Sequence, residues 1–252
     1  MEPTKSRSPR WVVTRPQRPA ARVRLFCFPY AGGGTSVFRS WHEFLDPSVE
    51  VCPVLLPGRE ERISEPPVTV MADLVVRLAE HLEPWTDKPF AFFGHSMGGQ
   101  IAFALTRLLA ERGARTPTWL FLGGCVPQRT AMRRHLLPDA ELTEEIRQMN
   151  GMPTAVLNAP EILALLLPVL RADFALTETY LTEPGVTVPV PMTTFAGVDD
   201  AEARPADMKE WARHCAGPSE SLELPGDHFF LNEPGALLDL VNRRLRTVAA
   251  RS

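Results

Sequence analysis

A serine stands between two glycines in residues 94–99 (GHSMGG). Ser96 thus lies in a G-x-S-x-G pattern that follows a short apolar run and precedes a long segment with helical periodicity. In a sharp strand-to-helix turn, side chains two residues before and two after the serine would collide, so both positions need glycine. The helix N-terminus behind the serine favours developing negative charge. We therefore predict that Ser96 is a nucleophile; the alternative is a turn in which glycine and serine serve geometry alone.

A serine nucleophile needs a base. Six histidines are available: His42, His81, His95, His135, His214 and His228. His228 follows the last predicted strand, which agrees with the chain order Ser…Asp…His, and we predict it as the base. His95 is adjacent to Ser96, but its side chain should point away and support the site from behind. The other four lie on predicted helices or, for His135, at the expected surface.

The base needs a carboxylate to orient it, and two neighbouring aspartates compete for that role. Asp199 and Asp200 both follow the strand predicted at 191–195. Asp200 stands three residues after Gly197, the usual hydrolase spacing, and is therefore favoured, with Asp199 as the alternative. Asp227 is next to the histidine in sequence, but we expect it to hydrogen-bond its own loop backbone.

Two backbone amides are expected to stabilise the oxyanion of an acyl-transfer intermediate. Met97, the residue after the nucleophile, should supply one of them. Ala31, in the glycine-rich residues 30–34 (YAGGG) after an early strand, should supply the other. A phosphate-binding loop is the competing interpretation of these glycines. It is disfavoured because no Gly-Lys-Ser/Thr follows and the G-x-G-x-x-G spacing is absent.

Short apolar runs alternate with helical segments along most of the chain. Strands are predicted at 22–28, 49–56, 90–93, 118–122, 191–195 and 220–224, and helices at 37–44, 70–82, 97–112, 206–215 and 234–247. Because the strand segments of the first half lack polar alternation, we expect them to be buried on both faces of a mostly parallel sheet flanked by helices. The pattern breaks at 128–183, which contains helical material at 136–149 and 159–180.

The expected organisation has four parts. Residues 1–21 form an N-terminal tail with a possible edge strand at 11–14, and residues 22–127 form the first part of an α/β core. Residues 128–183 form a helical insertion, and residues 184–252 complete the core. A chain of 252 residues, 44% of them hydrophobic, can bury such a core.

Bulk properties exclude several function classes. A formal net charge of −3 makes nucleic acid an unlikely target on electrostatic grounds. The four cysteines form no C-x-x-C motif, which favours reduced thiols in the cytoplasm over a metal site or a disulfide framework. The N-terminus lacks the apolar segment of a secretory signal, and the apolar run at 162–170 is far shorter than the roughly 18 residues of a membrane span.

With these residues in hand, the chain resembles a known family: the type II thioesterases associated with polyketide synthases and nonribosomal peptide synthetases, within the α/β-hydrolase fold. The matching segments are 28–33 (FPYAGG), 56–60 (LPGRE), 94–99 (GHSMGG), 170–173 (LRAD), 178–180 (ETY) and 226–230 (GDHFF). Together they span about 22–235, nearly the whole chain. Residues 122–129 depart from the serine- and arginine-rich version common in the family, which affects the pocket edge and leaves the triad alone.

The resemblance implies hydrolysis of acyl thioesters on the phosphopantetheine arm of acyl or peptidyl carrier proteins, without a metal or a dissociable cofactor. It also implies that 128–183 form a helical lid over an acyl pocket. Apolar side chains at helical spacing are candidates for that pocket or for plain packing: Leu163, Leu166, Leu167, Leu170 and Phe174. Arginines are candidates for contact with an acidic carrier protein: Arg59, Arg62, Arg129, Arg133 and Arg134.

Three alternatives to a carrier-protein thioesterase stay open from the sequence. The same chemistry can act on a small ester or lipid, or transfer the acyl group to a nucleophile other than water. A hydrolase-like binding protein without turnover is the third alternative, although an intact Ser96, Asp200 and His228 argue against it. We expect a monomer.

Overall fold

The computed structural model describes residues 10–14, 16–127, 133–149, 151–152 and 154–250. Six strands form one sheet in the order β2-β1-β3-β4-β5-β6, and every neighbouring pair is parallel. The strands are β1 (Val23–Phe28), β2 (Val49–Pro53), β3 (Phe90–His95), β4 (Leu120–Gly123), β5 (Met192–Gly197) and β6 (Ser219–Leu224). Nearly all residues of β1 to β5 are buried, as the unbroken apolar runs predict. In β6, the strand at one edge of the sheet, only Leu224 is buried.

Eight α-helices lie within the described residues. They are α1 (Trp41–Phe44), α2 (Met71–Leu82), α3 (Met97–Glu111), α4 (Asp139–Gln148), α5 (Thr154–Leu157), α6 (Pro160–Thr179), α7 (Pro205–Met208) and α8 (Gly235–Ala249). Short 3₁₀ helices occupy Thr35–Phe38, Glu60–Arg62, Glu83–Trp85, Arg134–Leu136, Lys209–His214 and Phe230–Asn232.

The two faces of the sheet bury separate cores. On one face, Phe26 and Phe28 of β1 join apolar residues of α2 and α3. On the other face, Leu25 and Cys27 join residues of α8 and Trp41 of α1. Successive strand residues point to opposite faces, so each strand contributes to both cores. This three-layer arrangement confirms the predicted α/β class.

The helices between β4 and β5 form a third cluster. Its buried members are Leu142, Ile146, Leu157, Leu163, Leu167, Leu170 and Phe174. Helix α6 contains Pro168, which lacks a backbone N–H and so removes one hydrogen bond from the middle of the helix. The described part of this segment contains no strand. The four-part division of the chain, with its boundaries at 21, 127 and 183, stays a prediction.

Three predicted elements differ in the structure. The helix predicted at 37–44 is divided into a 3₁₀ helix, Thr35–Phe38, and a short α-helix, Trp41–Phe44. Residues 11–14 contribute one antiparallel bridge, between Val12 and Val54, rather than a strand. The helix predicted at 206–215 is α-helical only at Pro205–Met208 and continues as a 3₁₀ helix to His214. The next residue, Cys215, forms an isolated parallel bridge with Val188. No helix in the described ranges is long and apolar enough to cross a membrane.

Candidate active site

Ser96 occupies the sharp turn between β3 and α3. Its backbone has φ +54° and ψ −118°, a conformation that non-glycine residues rarely adopt. A Cβ on Gly94 would lie 2.0 Å from the carbonyl oxygen of Gly98, and a Cβ on Gly98 would lie 2.0 Å from that of Phe28. The pattern of glycines around the serine is therefore a steric requirement of this turn.

His228 and Asp200 come together at the carboxyl ends of β6 and β5. Nδ1 of His228 lies 2.9 Å from Oδ2 of Asp200. The other carboxylate oxygen accepts hydrogen bonds from the amides of Glu202 (2.8 Å) and Ala203 (2.9 Å). Asp200 is buried, whereas Asp199 is exposed. Of the two candidates, only Asp200 has the geometry to orient the histidine.

The free side of His228 faces the nucleophile's cavity. Its Nε2 is buried and has no hydrogen-bond partner within the described residues. Ser96 and His228 both line the same cavity. A proton on Nδ1, held by Asp200, leaves Nε2 as an acceptor, which is the tautomer that a general base needs.

His95 supports the histidine loop from behind, as its position next to Ser96 predicts. Its Nε2 donates to the backbone carbonyl of His228 across 2.7 Å. Burial, with a smaller contribution from His228, lowers the pKa of His95 to about 3. His95 is therefore neutral at physiological pH and holds the His228 backbone in place. Asp227 accepts a hydrogen bond from the amide of Phe229 in its own loop, at 2.8 Å.

The two predicted oxyanion donors flank this site. Met97 is the first residue of α3, and the first amides of a helix have no partner within it. Ala31 lines the cavity. The next two amides of its loop are engaged: Gly32 donates to Asp173 and Gly33 to the carbonyl of Tyr30. In the described part of the chain, the amides of Ala31 and Met97 donate to no protein acceptor.

The cavity has a volume of about 240 Å³ and a largely apolar wall. Three of the five candidate residues on α6 line it, Leu166, Leu170 and Phe174, whereas Leu163 and Leu167 pack within the helical cluster. Sequence reasoning missed other lining residues, among them the apolar Ile146, Met149, Met152 and Val156. The helical spacing of Leu142, Ile146 and Met149 is the signal from which two of them follow.

Three of the five arginines proposed to meet a carrier protein are not at the surface. Arg59, Arg62 and Arg134 are 7%, 4% and 5% exposed. They form ion pairs with Asp173, Glu65 and Glu202 respectively, so the proposal is wrong for them. Arg133 is exposed, and Arg129 lies outside the described residues.

His135 was expected at the surface, but it is half-buried. Its Nδ1 lies within hydrogen-bond distance of the carboxylate of Glu178. That carboxylate is fully buried and also accepts the amides of Arg134 and His135. Glu178 therefore links the C-terminal end of α6 to residues 134 and 135, which precede α4.

Within the described residues, no three His, Cys, Asp or Glu side chains are grouped to hold a metal ion. The loop of residues 30–34 is also unsuited to phosphate, because the amide of Gly32 already binds a carboxylate oxygen of Asp173. No disulfide bond joins the four cysteines, all of which lie in the described ranges.

The chain folds as a parallel sheet flanked by helices. A serine turn follows the third strand, and a histidine–aspartate pair lies on the loops after β5 and β6. Together these features define an α/β hydrolase. A family model, the thioesterase domain, matches residues 23–245, and the chain belongs to that family. It is therefore a serine hydrolase that acts on thioesters.

Relatives and solved structures match over nearly the whole chain. Gramicidin S biosynthesis protein GrsT from Aneurinibacillus migulanus is 38% identical over 245 residues, which cover 96% of each chain. Thioesterase PikA5 from Streptomyces venezuelae is 37% identical over 226 residues, covering 88% of this chain and 80% of that protein. The structure of BorB, a type II thioesterase of the borrelidin biosynthetic cluster, has a TM-score of 0.85 at 32% identity and covers 96% of this chain and 100% of BorB.

Proposed function

We propose that this thioesterase hydrolyses acyl groups from the phosphopantetheine arm of acyl or peptidyl carrier proteins. It would thereby remove aberrant or stalled units during polyketide or nonribosomal peptide biosynthesis. The observation that carries the proposal is an apolar cavity with Ser96 and His228 on its wall, in a chain that matches pathway thioesterases over 96% of its length. The cavity accepts an acyl chain, and the two side chains supply the chemistry.

The proposed reaction has two steps. In the first, Nε2 of His228 takes the proton of Ser96 as its oxygen attacks the thioester carbonyl, and the same proton then goes to the departing thiol. In the second, His228 activates water, which releases the acid from the acyl-enzyme. Asp200 holds His228 in the reactive tautomer, and the amides of Ala31 and Met97 bind the oxyanion. Loss of one such donor costs about 10²- to 10³-fold in kcat.

The remaining parts of the proposal follow from this reaction. The phosphopantetheine is carried by the partner protein, so the enzyme needs no dissociable cofactor. The carrier protein is the expected partner, and we expect the enzyme to act as a monomer. A reducing compartment such as the cytoplasm agrees with four cysteines that form no disulfide.

The experiment compares hydrolysis of an acyl-loaded carrier protein with that of a matched acyl oxygen ester. Wild type should release the acyl group rapidly from the carrier, and Ser96→Ala should lower kcat by at least about 10⁴-fold. Ser40→Ala is the matched control, because Ser40 is exposed, makes no side-chain capping bond and lies outside the cavity wall.

Other outcomes would redirect the proposal. Ester cleavage with an untouched carrier protein would leave Ser96 as the nucleophile and make the enzyme a general esterase. Transfer of the acyl group to an added alcohol or amine in preference to water would identify an acyltransferase. Binding of the loaded carrier without release by wild type would contradict the catalytic assignment.

A further inference from the structure

A buried carboxylate outside the triad holds the loop that contains Ala31. Asp173 lies on α6 and is fully buried. Its Oδ2 accepts the amide of Gly32 at 2.7 Å and Nη1 of Arg59 at 2.9 Å, and its Oδ1 accepts Nη2 of Arg59 at 2.7 Å. A buried charge pair is costly unless its geometry and hydrogen bonds are good. This pair is bidentate, and the two oxygens of Asp173 accept three hydrogen bonds in all.

Arg59 continues the network to the next residue of the loop. Its Nη1 also donates to the carbonyl oxygen of Gly33 at 2.9 Å. The neighbouring Glu60 accepts the hydroxyl of Thr35 at 2.6 Å and the amide of Ser36 at 3.1 Å. Side chains from two distant segments therefore hold the backbone on the C-terminal side of Ala31.

Helix α6 also touches this loop through an apolar contact. Gly32 has φ +76°, and a Cβ there would lie 2.6 Å from Cδ2 of Leu170, one turn before Asp173. Residues three apart share one face of a helix, so Leu170 and Asp173 act on the loop together. Leu170 lines the acyl cavity as well. The same face of α6 thus forms the cavity wall and fixes the peptide that follows Ala31.

We propose that Asp173 is a positioning residue for the oxyanion hole, acting through the amide of Gly32 and through Arg59. By fixing the Ala31–Gly32 peptide, it sets the backbone of Ala31 and so the direction in which the Ala31 amide points. This proposal rests on the proposed function only in taking Ala31 as an oxyanion donor. It couples the helix that contacts the acyl chain to the donor that stabilises the reaction.

The test measures the oxyanion hole apart from substrate binding. An alkyl trifluoromethyl ketone forms a reversible adduct in which the Ser96 oxygen bonds to the carbonyl carbon, His228 takes the proton and the carbonyl oxygen becomes an oxyanion. The matched alkyl amide occupies the cavity without forming an adduct. Asp173→Asn should lower kcat by about 10²-fold and raise the ketone Ki by a similar factor, with KM and amide binding changed less than about threefold.

A second variant guards against loss of the fold. Arg59→Leu/Asp173→Leu removes both charges together, a change that buried ion pairs often tolerate, and still leaves the amide of Gly32 without its acceptor. It should fold and show the same loss in kcat and ketone affinity. Asp139→Asn is the control, because Asp139 pairs with Arg171 of α6 at the surface and makes no contact with the loop.

Two results would overturn the proposal. The first is a folded Asp173 variant with wild-type kcat and ketone Ki. The second is a variant whose loss of activity equals its loss of correctly folded enzyme, with the ketone Ki unchanged. The ketone measurement needs no carrier protein. A wild type that binds the ketone but leaves loaded carriers intact would refute the proposed function and still decide the role of Asp173.

Discussion

The cavity joins two regions that are built in different ways: the carboxyl edge of the sheet and the helical wall of α4, α5 and α6. At the sheet edge, Ser96, Asp200 and His228 are placed by backbone contacts with almost no free space. In the wall, apolar side chains share the cavity, and Leu165 beside them is 66% exposed. Substitutions of the residues that build the sheet edge should therefore abolish activity or prevent folding. Substitutions in the wall should change activity by smaller, graded amounts.

The neighbouring aspartates test the sheet edge most directly. Asp200→Asn removes the acceptor that fixes the tautomer of His228 and should lower kcat by about 10⁴-fold. Asp199→Asn changes an exposed carboxyl one residue away and should keep kcat within about twofold. Steady-state kinetics on one thioester decide the matter, and equal losses in the two variants would contradict the assigned geometry.

The turn itself is the next test. Gly98→Ala places a methyl group 2.0 Å from the carbonyl oxygen of Phe28 and 2.8 Å from that of Pro29, and these are backbone atoms that cannot move aside as a flexible side chain would. We expect a loss of more than about 4 kcal/mol in the free energy of unfolding, measured by urea denaturation. Gly235→Ala, at the first residue of α8 with no atom within 4 Å of the added carbon, should be neutral or stabilise by up to about 1 kcal/mol. A Gly98→Ala protein as stable as wild type would show that the turn can accommodate a methyl group at position 98.

The candidate residues of the sheet edge could be located from the sequence because glycine sterics and strand order act locally. Ser96 and His228 followed from short motifs, and the network at Asp200 agrees with the favoured spacing. Asp173 and Glu178 were noted only within motifs, and their roles could not be predicted. Each acts on residues 43 to 141 positions away, and such pairs leave no periodic signal. The burial of Arg59, Arg62 and Arg134 is unpredictable for the same reason, since the sequence does not show their partners.

The support behind His228 gives an effect of intermediate size. The pKa of His95 is about 3 in the folded enzyme against 6.5 for an ordinary histidine. Below pH 6.5 His95 becomes protonated in the unfolded chain but stays neutral in the folded enzyme. The free energy of unfolding therefore falls by about 1.4 kcal/mol per pH unit. His95→Gln keeps a donor for the His228 carbonyl and removes this titration.

Between about pH 7.5 and about pH 5, wild type should therefore lose about 2 kcal/mol more stability than His95→Gln. Urea denaturation of both proteins at the two pH values measures the difference. A comparison between about pH 7.5 and about pH 9, both above the titration, serves as the control and should give equal changes. Parallel pH profiles throughout would mean that His95 is not kept neutral by burial.

The helical wall should give the smallest and most graded effect, and two adjacent leucines of α6 make the comparison. Leu166 lines the cavity, whereas Leu165 points to solvent on the same turn. Leu166→Ala enlarges the cavity and should shift the preferred acyl chain by one or two carbons, with kcat/KM for the original best substrate lowered by about 10-fold. Leu165→Ala should leave the chain-length profile unchanged. Kinetics across a series of acyl thioesters measure both, and a shift of equal size in the two variants would mean that helix stability, rather than cavity volume, sets the preference.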